Sequence, residues 1–438
     1  MTKITPRIAS GFPEYLPEDQ LEFNRLLTII RGCYESYGFA PIDTPDLELR
    51  NVLLAKFESR GGEIDTQLYD FTRGKNDFVL KFDLTVPLAR YVAEHQNDLT
   101  FPFKRYQIAK VHRAERAQAG RFREFYQCDI DTIGSESALT DAEFPAVIND
   151  IFAKFNFGEF VIRLNDRRIL NGFFANLKIA DARKVDVMRL IDKVEKISRD
   201  EFRDSLREID LTAEQISRIE NLIDIRGTND EILAQLENLK ITDENFATGL
   251  KNLREVTAAI RAHGVPENRF AIDLKIARGL DYYTGTVYET FLRDFPSLGS
   301  VCSGGRYDDL TGYYTAAKLP GVGISIGLSR LFYQLKQIGV IKASQKSPAR
   351  VAILPITAAE FAYGLEISRS LRENQIANFL YAEDVPFKKK LQFADKMDFA
   401  FAIIIGEDEA RSREISLKNL ATGESEKVPF ADIVEKVR

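Results

Sequence analysis

Between residues 121 and 131 the chain reads Arg-Phe-Arg-Glu-Phe-Tyr-Gln-Cys-Asp-Ile-Asp. Alternation along a strand puts Phe125, Gln127, Asp129 and Asp131 on one side. An aromatic ring, an amide and two acids on a single strand face are unsuited to a core, and they suit the floor of a ligand site. Just upstream, Lys110-Val-His-Arg113-Ala-Glu115-Arg116 supplies guanidinium groups. Arginines can meet phosphates bidentately, and a ring such as Phe125 can stack on a base. Over 113–123 the arginines Arg113, Arg116, Arg121 and Arg123 outnumber Glu115, a pattern that a merely solvated basic face would also show.

The surrounding pattern is mixed. Phe23, Leu26, Leu27, Ile30, Cys33, Tyr34 and Tyr37 recur at helical spacing, which predicts an amphipathic helix over 21–37 stopped by Gly38. The two prolines in 39–45 then impose an extended segment. Strand-like runs at 78–82, 106–111 and 160–164 follow without regular βαβ alternation, so an antiparallel α+β domain is favoured. From about 178 to 263 the chain is charged and helical, with Val187, Leu190, Ile191, Val194 and Ile197 on one face. Ser198 to Glu201 and Thr212 to Gln215 are capping-box patterns that mark fresh helix starts. Strand patterning resumes at 270–276, 286–291 and 323–327. A polar linker at 342–348 precedes a βαβαβ-like alternation: strands at 351–354, 376–381 and 399–405, helices at 358–372 and 387–395.

Several function classes drop out. The three cysteines, Cys33, Cys128 and Cys302, form no CxxC pair, and His95, His112 and His263 have no zinc-ligand spacing, so no protein-ligated metal is expected. A net charge of −6 argues against indiscriminate binding to phosphate backbones. No apolar run is long enough for a membrane span and the start lacks a signal-peptide pattern, so a cytoplasmic protein is expected. There is no P-loop, and Gly321-Val-Gly323-Ile-Ser-Ile-Gly327 lacks dinucleotide-loop spacing.

Two further strings resist explanation by packing: Arg278-Gly-Leu-Asp281-Tyr282-Tyr283-Thr284 and Ser303-Gly-Gly-Arg306-Tyr307-Asp308. Taken singly, each could be a turn. Arg113-Ala-Glu115 with Arg121-x-x-x-Phe125 resembles motif 2 of the class II aminoacyl-tRNA synthetases. Residues 323–330, ending in Arg330, resemble motif 3, and the helix running to Pro45 resembles motif 1. The two further strings are similar to those that distinguish the histidyl-tRNA synthetase family, and the similarity covers nearly the whole chain.

The resemblance implies a six-stranded antiparallel catalytic sheet over 1–177 and 265–335, interrupted by a helical insertion at 178–264. It implies an α/β anticodon-binding domain at 345–438 and a homodimer formed through the motif 1 region. The implied activity is activation of L-histidine by ATP, with Mg2+ carried on the ATP phosphates, and transfer to the 3′ end of tRNA(His). Arg113 and Arg278 match the positions that contact the α-phosphate and the histidine carboxylate. Arg121 and Arg330 match those reaching the γ-phosphate, Phe125 and Arg330 those that sandwich adenine, and Glu115 belongs to the same ATP set. Asp83, Thr85 and Gln127 match positions for the α-amino group, and Asp131 and Tyr283, with Tyr282, those of the imidazole pocket. Gln118 matches a loop that meets the tRNA acceptor end.

The sequence departs from the pattern in two places. Asp stands at position 83 where many bacterial members carry Glu, and the 115–120 loop lacks the proline and lysine common there. A pure tRNA-binding or signalling module would leave four well-placed arginines without a use; the strongest competing reading is the regulatory subunit of ATP phosphoribosyltransferase, which binds histidine on the same fold. That subunit generally lacks the C-terminal domain and has degraded catalytic strings, both of which are intact here.

Overall fold

The structure, a computed structural model, describes residues 4–55, 67–116, 120–277, 283–308 and 311–438. Two compact units emerge, Met1–Pro13 with Thr28–Val340, and Glu14–Leu27 with Ile341–Arg438. The expected first helix spans Pro17–Ser36 and buries Phe23, Leu26, Ile30, Cys33 and Tyr34 at three- and four-residue spacing. Gly38 ends it at φ +76°, a left-handed conformation that a side chain would strain.

Along the first unit run β1 (Ala40–Pro41), β2 (Leu47–Leu49), β3 (Asp70–Arg73), β4 (Asn76–Leu80), β5 (Phe103–His112) and β6 (Glu124–Ile133). They are followed by β7 (Phe160–Asp166), β8 (Phe270–Ile272), β9 (Thr286–Leu292), β10 (Ser300–Tyr307) and β11 (Gly321–Gly327). Strands β2, β4 and β3 form a small antiparallel sheet, and the rest join in the order β1-β5-β6-β11-β10-β9-β7-β8. The six inner strands are antiparallel throughout, as the family resemblance implies, and β1 and β8 add a short parallel strand at each edge.

The last edge is shorter than the 270–276 run predicted. After Ile272 the ladder is interrupted because the Asn165 side chain takes over the carbonyls of Leu274 (3.4 Å) and Ile276 (3.0 Å), while Asp273 accepts from Lys275 N.

Helices Asp181–Lys193, Arg199–Glu208, Ala213–Ile223, Asn229–Asn238 and Glu244–Ala262 fill the charged stretch. Thr212 and Gln215 satisfy each other's orphan amides in both directions, whereas Ser198 caps Glu201 N one way only. Thr228 and Glu231 form a further reciprocal box that the sequence reading does not anticipate.

In the second unit β12 (Val351–Pro355), β13 (Asn378–Leu380), β14 (Phe401–Ile405), β15 (Glu414–Asn419) and β16 (Ser425–Pro429) lie in the order β13-β12-β14-β15-β16. The first three are parallel, as the alternation predicts; the antiparallel pair β15–β16 is an addition to it. The expected helix at 358–372 divides into a 3-10 turn, Ala358–Glu360, and a helix over Phe361–Glu373. Among the described residues no helix is long and apolar enough to cross a membrane.

Arg306, from the glycine-rich string, is a buried strut rather than a cavity residue. Its Nε meets both carboxylate oxygens of Asp141 at 3.0 and 3.2 Å and its Nη1 donates to Ser135 O at 2.7 Å. Thr286 Oγ1 donates to the same carboxylate, and Thr284 N donates to Arg306 O at 2.8 Å. Removing one member of such a buried pair strands the other's charge. Arg306→Met is therefore expected to lower the unfolding free energy by about 3–5 kcal/mol in urea titration. A loss below about 1 kcal/mol, the worth of an exposed pair, would contradict the strut assignment.

Candidate active site

The antiparallel pair β5–β6 builds the floor. Its register sets Arg105 opposite Asp131, Gln107 opposite Asp129, Ala109 opposite Gln127 and Val111 opposite Phe125. The predicted polar face is real. Phe125, Gln127, Asp129 and Asp131 all line one cavity of about 660 Å³, whereas Cys128 and Ile130, which alternate with them, are fully buried.

On the other side of β6, β11 presents Gly323 to Asp131, Ser325 to Asp129 and Gly327 to Gln127. Small residues here are a steric requirement: a Cβ on Gly323 would stand 2.0 Å from Asp131 Oδ1, and one on Gly304 of β10 only 2.1 Å from Gly323 O. Gln127 Nε2 donates to Ser325 Oγ at 2.8 Å, while Gln127 Oε1 and Asp129 Oδ1 are buried with no hydrogen-bond partner. Unsatisfied acceptors beside a cavity call for donors on a ligand.

Asp83, Thr85, Arg113, Glu115, Arg121, Tyr283 and Arg330 line the same cavity. Asp83 Oδ1 accepts from Val86 N at 3.1 Å, tying the acid to the first turn of helix Thr85–Glu94. Arg113 donates from Nε to Phe82 O at 3.0 Å and lies 5.1 Å from the centre of the Phe125 ring, a cation–π arrangement that fixes both groups. Arg121, largely exposed, pairs with Glu115 Oε2 at 2.5 Å. Arg330 occupies the first turn of helix Leu328–Gln337, and its Nη2 donates to Leu298 O at 3.4 Å.

The structure thus gathers ten of the predicted site residues around one cavity; Arg278, Tyr282 and Gln118 lie outside the described residues. Sequence reasoning misses Arg105, Glu289 and Ser325; it places Asp129 on the polar strand face and Tyr307 in a glycine-rich string but gives neither a role. Tyr307 Oη donates to Asp131 Oδ1 at 2.7 Å, and Arg105 Nη2 meets Asp131 Oδ2 at 2.6 Å. Among the described residues no cluster of three or more His, Cys, Asp or Glu could hold a metal ion.

Comparison with known proteins follows the same lines. Residues 11–331 match the family described as histidyl-tRNA synthetase, and residues 350–438 match the anticodon binding domain. A histidine–tRNA ligase of Clostridium tetani is 47% identical over 99% of this chain and 98% of its own length. The crystal structure of a histidyl-tRNA synthetase from Nostoc sp. PCC 7120 superposes with a TM-score of 0.93 at 42% identity, covering 99% of both chains. A Bacillus halodurans structure described as an ATP phosphoribosyltransferase regulatory subunit/histidyl-tRNA synthetase has a TM-score of 0.76 at 21% identity, covering 92% of this chain and all of its own, and shares the fold.

The floor is electrostatically loaded. Burial pushes the Asp129 carboxyl up to about 7, against the pull of Arg105 and Ser325 and with help from Asp131 and Asp83. Burial likewise raises Asp131 to about 6, against Arg105 and Tyr307. An acid whose folded value lies above its unfolded 3.8 keeps a proton that the unfolded chain has lost, so the stability it contributes falls as pH rises from about 4 to about 7. Asp129 and Asp131 should therefore each withdraw stability over that window. Asp129→Asn should flatten the slope by up to about 1.4 kcal/mol per pH unit, the limit for one proton, in denaturation series at fixed ionic strength. An unchanged slope would contradict the assignment.

Proposed function

The chain belongs to the histidyl-tRNA synthetase family, and from that premise we propose that it is a histidine–tRNA ligase. It joins L-histidine to ATP as histidyl-adenylate, releasing pyrophosphate, and then passes histidine to the 3′ end of tRNA(His). The observation that carries this reading is one cavity lined both by arginines with a stacking ring and by a floor of acids and amides.

In the first step a histidine carboxylate oxygen attacks the α-phosphorus, and the bond to the bridging oxygen of pyrophosphate breaks. No protein nucleophile is required. The barrier lies in bringing two anions together and stabilising charge on the phosphoryl oxygens, which fixed cations do without reorganising during the reaction. Arg113, braced by Phe82 O and the Phe125 ring, serves at the α-phosphate. Arg278 is assigned there and at the histidine carboxylate from its motif. Phe125 and Arg330 enclose adenine, while Arg121, on exchanging Glu115 for phosphate, reaches the γ-phosphate with Arg330. Mg2+ enters as part of the ATP substrate.

Histidine recognition follows from polar complementarity. Asp83, Thr85 and Gln127 take the α-ammonium, and Asp131 with Tyr283 and Tyr282 takes the imidazole. An analogue without ring nitrogens would leave buried polar groups unpartnered, which can give discrimination on the order of 10⁴ without editing.

By the same reading, 1–177 with 265–335 form the catalytic core, 178–264 the insertion and 345–438 the anticodon-binding domain. The protein acts in the cytoplasm as a homodimer through the motif 1 region, with Gln118 near the tRNA acceptor end.

ATP–pyrophosphate exchange with each of the twenty amino acids tests the proposal. Histidine alone should support exchange, and Arg113→Ala should reduce it by roughly 10²-fold or more, the usual cost of losing one transition-state donor. Exchange driven by another amino acid, or histidine binding without exchange, would overturn it.

A further inference from the structure

We infer that Arg105 is the positioning residue of the imidazole subsite, holding Asp131 in the orientation and charge state in which its carboxylate accepts a ring N–H of histidine. The inference rests on the assignment of Asp131 to the imidazole. Arg105 does not line the cavity, so it acts through Asp131 rather than on substrate.

Arg105 is fully buried, the bulkiest side chain among the described residues to be so. Its Nη2 reaches Asp131 Oδ2 at 2.6 Å and also donates to Leu84 O at 3.3 Å, while Nε and Nη1 are buried without partners. As a stabilising device this is poor. A buried guanidinium loses its hydration, and two unsatisfied nitrogens add to that cost, so apolar residues of the same volume would serve the fold at least as well. What the arrangement does supply is a fixed carboxylate. Arg105 of β5 grips one oxygen of Asp131, and Tyr307 Oη of β10 grips the other. Each oxygen still has a second acceptor site for a donor in the cavity.

Charge state matters as much as orientation. Three carboxylates crowd the floor: Asp131, Asp129 on the same strand and Asp83 before helix Thr85–Glu94, and their mutual repulsion opposes ionisation. The titratable groups of Tyr283, Tyr288, Glu289, Cys302 and Tyr307 also line the cavity, and β11 sets Gly323 opposite Asp131 and Ser325 opposite Asp129. Arg105 is the largest influence keeping Asp131 ionised against burial. Without it the acid would hold its proton into the neutral range. A protonated carboxyl presents a donor where a ring N–H needs an acceptor, and the subsite would no longer select imidazole.

The test uses the full-length chain as wild type, Arg105→Met and Arg105→Lys, in histidine-dependent ATP–pyrophosphate exchange from pH 6.5 to 8.5. Arg105→Met should raise the KM for histidine roughly 10- to 100-fold near pH 7, the scale of a lost charged hydrogen bond, with the KM for ATP unchanged within about twofold. The defect should shrink as pH rises and Asp131 regains its charge. Arg105→Lys should recover part of the affinity. If Arg105→Met does not fold, Arg105→Lys carries the test: a raised histidine KM with unaltered ATP KM supports the inference. Unchanged histidine KM, or histidine and ATP KM rising together without pH dependence, would overturn it. Failure of the wild type to activate histidine would instead remove the imidazole assignment beneath it.

Discussion

The structure turns on acids held at the edge of a cavity where burial opposes their charge. Asp131 is tolerable there because Arg105 and Tyr307 claim its two oxygens, and Asp129 and Gln127 because Ser325 meets them from the next strand. Their remaining acceptor capacity has nowhere to go but into the cavity. A cationic or N–H-bearing ligand is thus the natural complement of the floor, in the way that phosphate is of Arg113, Arg121 and Arg330.

The scaffold makes that juxtaposition possible. Long antiparallel strands carry a two-residue repeat without interruption, so one face of β6 can be polar while the alternating residues Cys128 and Ile130 stay fully buried. Glycines on β10 and β11 let neighbouring strands approach where carboxylates stand upright. Arg306 and Asp141, away from the cavity, tie the string that follows Tyr283 to a buried helix. Each device fixes geometry before any ligand arrives, which is what catalysis by preorganised charge requires.

Much of this is legible in the chain itself. The face of β6 can be read because alternation is a local signal, and the arginine and glycine strings because their residue types are costly without function. The first helix is legible through both its apolar stripe and its glycine stop. Arg105 is not, since its importance depends on standing opposite Asp131, and the connection over 113–123 between the two strands is too long to set a hairpin register. Strand β8 is shorter than its pattern because the side chain of Asn165, remote in sequence, takes the carbonyls beyond it while Asp273 turns the chain locally. Strands β15 and β16 escape a sequence reading because each is short and carries few apolar residues, Ile415 and Leu417 in one and Val428 in the other, too few for alternation to stand out. The second-unit sheet therefore reads as a simple alternation when its far edge is an antiparallel ribbon.

The positions of two bound small molecules decide the assignment of the cavity most directly. A crystal structure of the chain with L-histidine and a non-hydrolysable ATP analogue should place a ring nitrogen within about 3 Å of Asp131, with adenine between Phe125 and Arg330. A histidine ring turned away from Asp131, or a nucleotide bound clear of Arg113, would contradict it.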